Sequence, residues 1–199
     1  MKYENHKMIV VSAPSGAGKS TIVRHLLNAG LNLAFSVSAT SRPIRPGEVN
    51  GREYHFISVK EFREKIETGQ LLEWQEVYPG SFYGTLVSEV ENILSGGFFP
   101  IFDVDVVGGL NIKKEYGDSA LAIFIRPPSV KILERRLRAR ETDSEASLKK
   151  RLEKVRWEME FAEKFDVVII NDILEKALID AEEQTRSFLE NKFTPKLIP

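Results

Sequence analysis

A short β-branched run, KMIVVSA (residues 7–13), passes through the small-residue stretch PSGAGK (14–19) straight into STIVRHLLNAG (20–30). The first part reads as a buried strand. The last part sets Ile22, Val23, Leu26 and Leu27 on one helical face, with Gly30 as its stop. A strand that turns through glycines directly into a helix aims its loop N–H groups and the helix N-terminus at one point, which makes an anion site. Gly16 and Gly18 accept positive φ without penalty. Lys19 supplies a point charge for β- and γ-phosphates, and the Ser20 hydroxyl is a Mg²⁺ ligand. The candidate triphosphate loop is therefore Ala13, Pro14, Ser15, Gly16, Ala17, Gly18, Lys19, Ser20 and Thr21. Ala13 stands where the usual G-x-x-x-x-G-K-[ST] pattern has its first glycine, at a strand exit where β-region backbone accepts a methyl group. The competing reading is a small-residue turn with a helix cap, but a cap has no need of a lysine inside a glycine cluster.

Further along, FFPIFDVD (98–105), LAIFIRPPS (121–129) and FDVVIIN (165–171) read as buried strands, and 86–95, 129–140, 145–164 and 173–191 as helices. Alternating strands and helices predict a mainly parallel sheet covered on both faces. Residues 35–85 break the rhythm: short alternating runs punctuated by Pro, Gly and Asn, with a short helix near 58–68, predict an inserted small mixed or antiparallel sheet.

With 199 residues, the chain is long enough for one α/β domain with small inserted subdomains. A net charge of −1 gives no global field for nucleic acid or an anionic membrane, so any anion site is built locally. Zero cysteines exclude disulfides and thiolate metal sites and fit a reducing cytoplasm. The apolar stretch near the amino terminus is too short for a signal peptide, and no run is long enough to span a bilayer. The expectation is a cytoplasmic protein, and nothing in the pattern selects a monomer over a homo-oligomer.

A second group of anion-binding candidates lies in the insertion. SRPIRPGEVNGREYHF (41–56) carries Arg42, Arg45, Arg52 and Tyr54, and YPGSFYGT carries Tyr83. Arginine forks and tyrosine hydroxyls suit phosphate oxygens; an exposed solvated loop is the alternative. In LLEWQEV, a strand would put Glu73 on the same face as Leu71, giving a carboxylate an apolar-facing site. Two carboxylate oxygens match the adjacent N1–H and N2–H₂ donors of guanine, a pair that adenine lacks. A surface glutamate on an edge strand remains the alternative. Asp103 and Asp105 share a face at the carboxyl end of IFDVD, where an α/β sheet binds its ligand. For the arginine-rich stretch ERRLRARETDSE (134–145), a solvated helix face is the plain reading.

Taken in order, SAPSGAGKST, FSVSATSRPIRPGEVNGREYHF, EWQEVYPGSFYGT, FDVDVVG, RRLRARETDSE and NDI resemble the guanylate kinase family over almost the whole chain. The resemblance implies a phosphate-loop NTPase-type α/β fold with a five-stranded parallel sheet and helices on both faces. It also implies a GMP-binding insertion at 36–85, a helical lid at 129–155, and a core made of 1–35, 86–128 and 156–199 within one domain. The implied reaction converts ATP and GMP to ADP and GDP, with dGMP as a second acceptor, in purine nucleotide metabolism and GMP recycling. Arg42, Arg45, Tyr54 and Tyr83 would hold the GMP phosphate, and Ser38, Glu73 and Thr85 would read the guanine edge. Asp103 and Asp105 would line the site near base and metal. Arg136, Arg140 and Arg151 would grip the phosphates with Lys19, and Asn171 and Asp172 would lie near the adenine. The acceptor is already an ionised phosphate oxygen, so alignment and charge neutralisation suffice without a general base. Glu141 and Val107 depart from the family pattern, which has glycine in the lid and glutamine in D-x-D-x-Q-G.

Two other readings stay open on the residues alone. One is a related interaction module that binds peptides on the same face, although such modules usually lack a working phosphate loop. The other is a kinase of another phosphorylated acceptor.

Overall fold

The computed structural model describes residues 6–138 and 145–193. The chain begins β1 (Met8–Ser12), α1 (Lys19–Asn28) and β2 (Leu33–Phe35). It continues through β3 (Ala39–Thr40), β4 (His55–Phe56), α2 (Val59–Glu67), β5 (Leu71–Tyr78) and β6 (Ser81–Leu86). Then come α3 (Val87–Ser95), β7 (Phe99–Asp103), α4 (Val106–Tyr116), β8 (Ala120–Arg126), α5 (Val130–Arg138), α6 (Glu145–Met159), β9 (Val167–Ile170) and α7 (Leu174–Leu189).

Every residue of β1 is buried, as a strand covered on both faces requires. It is the centre of a five-stranded parallel sheet of order β2-β7-β1-β8-β9. Side chains alternate across the sheet. Ile9 and Val11 join Ile22 and Leu26 of α1, Leu133 of α5 and Ala177 of α7 on one face. Met8 and Val10 join Val90 of α3 and Ile112 of α4 on the other. Helices thus cover both faces of the sheet, as the strand–helix alternation predicts. A separate mixed sheet of order β4-β3-β6-β5 comes from the inserted segment. Its β3–β4 pair is parallel and its other two pairs are antiparallel.

Three details differ from the pattern reading. The fifth core strand is β2, only three residues long, too short to leave a periodic trace. Helix α4 leaves no periodic trace in the sequence, because VVGGL breaks the apolar spacing. The glycine pair has a packing cause: a Cβ on Gly109 would press on the Ser12 hydroxyl and Val10 of β1, so the glycine lets the helix lie close to the sheet. Helix α6 stops at Met159, and Ala162–Lys164 forms a 3₁₀ turn instead of continuing to 164. That turn delivers Ala162 and Phe165 to an apolar cluster with Phe124 and Val106.

The insertion owns a small core in which Phe62 of α2 and Phe82 of β6 stack at 5.4 Å over Ala39. Phe62 has no exposure, and helix α2 is started by a full capping box between Ser58 and Glu61. With so few apolar partners the cluster cannot collapse around a void. Phe62→Ala is expected to cost about 3–4 kcal/mol, read as a lowered urea midpoint. A loss under about 1 kcal/mol would mean that this cluster does not hold the insertion together.

Candidate active site

The loop between β1 and α1 is shaped by two positive-φ glycines, Gly16 at 90° and Gly18 at 97°. Ala13 is buried at 5% exposure, and its φ is not positive, so the residue that departs from the usual pattern carries no backbone strain. The Ala17 N–H donates to the Pro14 carbonyl at 3.0 Å, and the Gly18 carbonyl accepts from Thr21 and Ile22. That leaves the Lys19 and Ser20 N–H groups in the first helical turn, where no intrahelical acceptor exists. Beneath the loop, buried Asn171 donates its side-chain amide to the Ala17 carbonyl at 2.7 Å. A Cβ on Gly18 would collide with that amide nitrogen, so glycine is needed here for space as well as for φ.

Lys19 reaches across to the end of β7. Its ammonium lies 2.5 Å from Asp103 Oδ1 and donates to the Val104 carbonyl at 2.9 Å. Asp105 caps α4, accepting from the Val107 N–H at 3.1 Å and the Gly108 N–H at 2.9 Å. Asp103 closes a strand and Asp105 starts a helix, yet both face one cavity of about 380 Å³. Ser15, Lys19, Ser38, Tyr54, Glu73 and Tyr83 line the same cavity.

Glu73 is the buried acid of this cavity, 8% exposed, with Oε1 accepting from the Thr85 hydroxyl at 2.8 Å. Burial pushes its carboxyl up to about 7; the Thr85 hydrogen bond opposes the shift and the neighbouring Asp105 charge adds to it. A register shift between Leu71 and Glu73 corrects the expectation that they share a face. Leu71 packs on the Phe62 cluster, whereas Glu73 Oε2 faces Gly108 so closely that a Cβ there would sit 2.8 Å away. The carboxylate is buried by the bulge and by α4, not by the strand alternation.

The arginines are placed differently. Arg42 forks onto Glu48 with bonds of 2.7 and 2.6 Å and packs over the rings of Tyr54 and Phe56. That fork holds the Glu48 carboxyl down to about 2. Arg42 is therefore one contact removed from the cavity wall. Arg45 is exposed, and its backbone N–H joins the same Glu48 at 2.8 Å. Arg136 is half-buried and donates to the Asn171 carbonyl at 3.1 Å. Arg151 is exposed on α6, and Arg140 and Glu141 lie outside the described residues. Asn171 and Asp172 part ways. The first supports the loop, while the second lines a depression of about 560 Å³ along the outer edge of β9. That depression is larger, but no phosphate-loop residue lines it, so the smaller cavity is the candidate site.

Among the lining residues that the sequence reading does not single out, Gln75, Gly108 and Lys154 bear on the chemistry. Gln75, with its amide nitrogen turned to the carboxylate, donates to both Asp105 oxygens at 3.1 and 2.8 Å. Gly108 supplies the space beside Glu73, and Lys154 of α6 closes one wall. Only Gln75 had a signal, lying two positions from Glu73 and so on the same side of the strand beyond the bulge.

For a metal, the donor set suits Mg²⁺ carried on phosphates. The Ser20 hydroxyl is exposed at the start of α1, and Asp103 and Asp105 offer hard oxygens at the end of β7. Mg²⁺ keeps water and phosphate ligands and asks for few protein ones.

A parallel sheet, a glycine loop leading into a helix at its central strand, and a lysine at the loop's end define an α/β protein of the phosphate-loop NTPase type. A family model described as "Guanylate kinase" matches residues 5–188. Among curated proteins, a guanylate kinase of Bacteroides fragilis is 53% identical, with 92% of this chain and 90% of that one covered. One of Salinibacter ruber is 47% identical, covering 94% and 99%. A crystal structure of guanylate kinase from Anaplasma phagocytophilum superposes with a TM-score of 0.74 at 29% identity, covering 93% of this chain and 87% of that one. The chain belongs to the guanylate kinase family.

The Arg42–Glu48 fork makes a checkable statement about pH. Because the Glu48 pKa is depressed in the fold, its contribution to stability is complete above the ordinary carboxylate range and lost as pH falls toward about 2. The melting-temperature gap between the wild type and Glu48→Gln should be constant above pH 5 and shrink steadily below about pH 4.5. A gap equal at pH 3 and pH 7 would show that the fork does not form.

Proposed function

We propose that the protein transfers the γ-phosphoryl group of ATP to GMP, giving ADP and GDP, and accepts dGMP as a second acceptor. One observation carries the reading: a single cavity is lined both by Ser15 and Lys19 of the phosphate loop and by buried Glu73. The loop offers N–H groups and a cation to a triphosphate. Glu73 offers two carboxylate oxygens to the N1–H and N2–H₂ edge of guanine, with Thr85 and Ser38 alongside. Tyr54 and Tyr83 face the acceptor phosphate, and Arg42 and Arg45 join them as Arg42 exchanges Glu48 for phosphate. Recognition through base and phosphate leaves the 2′-position of the sugar unread, which admits dGMP.

Phosphoryl transfer here asks for alignment and charge, not for a general base, because the attacking GMP oxygen is already ionised. Mg²⁺ bound with ATP would neutralise phosphate charge, with Ser20 as its protein ligand and the strand-end carboxylates beside it. Lys19 exchanges Asp103 for the β- and γ-phosphates. Arg136, Arg140 and Arg151 bring further positive charge from the proposed lid at 129–155, and Asn171 and Asp172 border the adenine. The insertion at 36–85 closes over GMP and excludes water, so that ATP is not simply hydrolysed.

ADP release measured with GMP, AMP, IMP and ribose phosphates tests the reading. Turnover with GMP well above the others is expected, and Lys19→Ala should reduce it nearly to background. Turnover with a ribose phosphate in place of GMP, or none with GMP, would overturn it.

The buried carboxyl adds a pH test. Ionised Glu73 accepts both guanine donors, so the KM for GMP should fall as pH rises through about 7, while the KM for ATP stays flat. Glu73→Gln should remove this dependence and lower kcat/KM for GMP by up to about 10⁴-fold, the range lost when a buried, base-specific pairing is broken. A pH profile shared by wild type and Glu73→Gln would take Glu73 out of base recognition.

A further inference from the structure

Helix α6 buries one acidic side chain, Glu158, and the phosphate chemistry described above makes no use of it. Glu158 is 4% exposed, and its Oε2 has no hydrogen-bond partner among the described residues. Its other oxygen lies 3.7 Å from the ammonium of Lys154, one helical turn earlier on the same face. Lys154 lines the cavity together with Ser15, Lys19 and Asp103. Burial pushes the Glu158 carboxyl up; the Lys154 and Lys19 charges oppose that shift and the Asp105 charge adds to it.

A buried carboxylate is costly unless a cation stays beside it. Lys154 is that cation, yet 3.7 Å is an ion-pair contact too long for a well-formed hydrogen bond. An ammonium has three donors, so Lys154 is held by charge while its donors remain available to another acceptor. The side chain is 40% exposed, and the opening it faces is the cavity. The cavity lining includes the carboxyl groups of Glu73, Asp103 and Asp105 and the cations Lys19 and Lys154. Substrate phosphates add more negative charge there, so a second ammonium has an evident acceptor.

We propose that Lys154 is a further catalytic residue that contacts the phosphates during transfer, and that Glu158 is the positioning residue that holds its ammonium at the cavity. The inference rests on the phosphotransferase reading above. It adds a cation from α6 to those of the loop, and it gives the buried acid a reason to be there.

Steady-state GMP-dependent ADP release, with melting temperature as the control for folding, tests both halves. Lys154→Ala should lower kcat by about tenfold or more while KM for ATP and GMP changes less than about threefold, because a cation acting on the moving phosphoryl group is felt mainly in the transition state. Lys154→Arg, which keeps the charge, should retain at least about a third of wild-type kcat. Glu158→Gln keeps the volume and removes the charge. It should lower kcat about threefold to tenfold in the wild type and cause no further loss in Lys154→Ala, since it acts through that lysine. Glu158→Asp, which withdraws the charge by one methylene, should behave the same way if the glutamine variant fails to fold. A Lys154→Ala enzyme within twofold of wild type in kcat would overturn the role of Lys154. Equal losses from the Glu158 variants with and without Lys154 would overturn the positioning role. Wild-type protein without GMP-dependent turnover would instead refute the phosphotransferase reading, which separates the two failures.

Discussion

Asn171 ties the phosphate loop to the rest of the molecule through one buried side chain at the end of β9. Its backbone N–H donates to Arg126 at the end of β8, its side-chain amide to Ala17 in the loop, and its carbonyl accepts from Arg136 on α5. One residue thereby fixes the loop against two strand ends and a helix. Its room is the space a Cβ would take at Gly18, so the loop's glycine and the distant asparagine are two halves of one contact. Because the Ala17 carbonyl is satisfied from below, the loop can turn its N–H groups to the side where an anion would sit.

The charges around the cavity follow the same economy of partners. Lys19 lies against Asp103, and Arg42 is forked onto Glu48, so neither cation is left without an anion. Exchanging a carboxylate for a phosphate oxygen is far cheaper than desolvating a bare charge. Environment also sorts the acids. Glu48, facing an arginine fork, is held down to about 2, while Glu73, buried beside Asp105, is raised to about 7. The first stays ionised at any physiological pH; the second titrates where the cell lives.

Much of this was legible in the chain itself. A β-branched run, two loop glycines and a lysine before an amphipathic helix specify β1, the loop and α1 through local chemistry alone. The inserted segment was legible as a break in rhythm, since Pro, Gly and Asn punctuate it. What escaped depends on contacts between distant residues. Asn171 and Ala17 are 154 positions apart, so no local pattern shows that the asparagine supports the loop. Helix α4 was hidden by Gly108 and Gly109, whose missing side chains make room for Glu73 and for β1. Arg42 reads as an anion ligand from its type and neighbours. Its fork onto Glu48, six residues on, requires the turn that brings them together.

The start of α4 shows why two neighbouring acids take different roles. A carboxylate at a helix N-terminus is favoured by the unsatisfied N–H groups there, and both Asp105 and Glu73 come close to that end. Asp105 takes the Val107 and Gly108 N–H groups and also accepts from Gln75. Glu73 is left with the Thr85 hydroxyl on one oxygen and an approach to Gly108, where only glycine leaves room, on the other. Saturating Asp105 is what keeps acceptor capacity on Glu73, and the Asp105 charge beside it raises the cost of leaving that capacity unused.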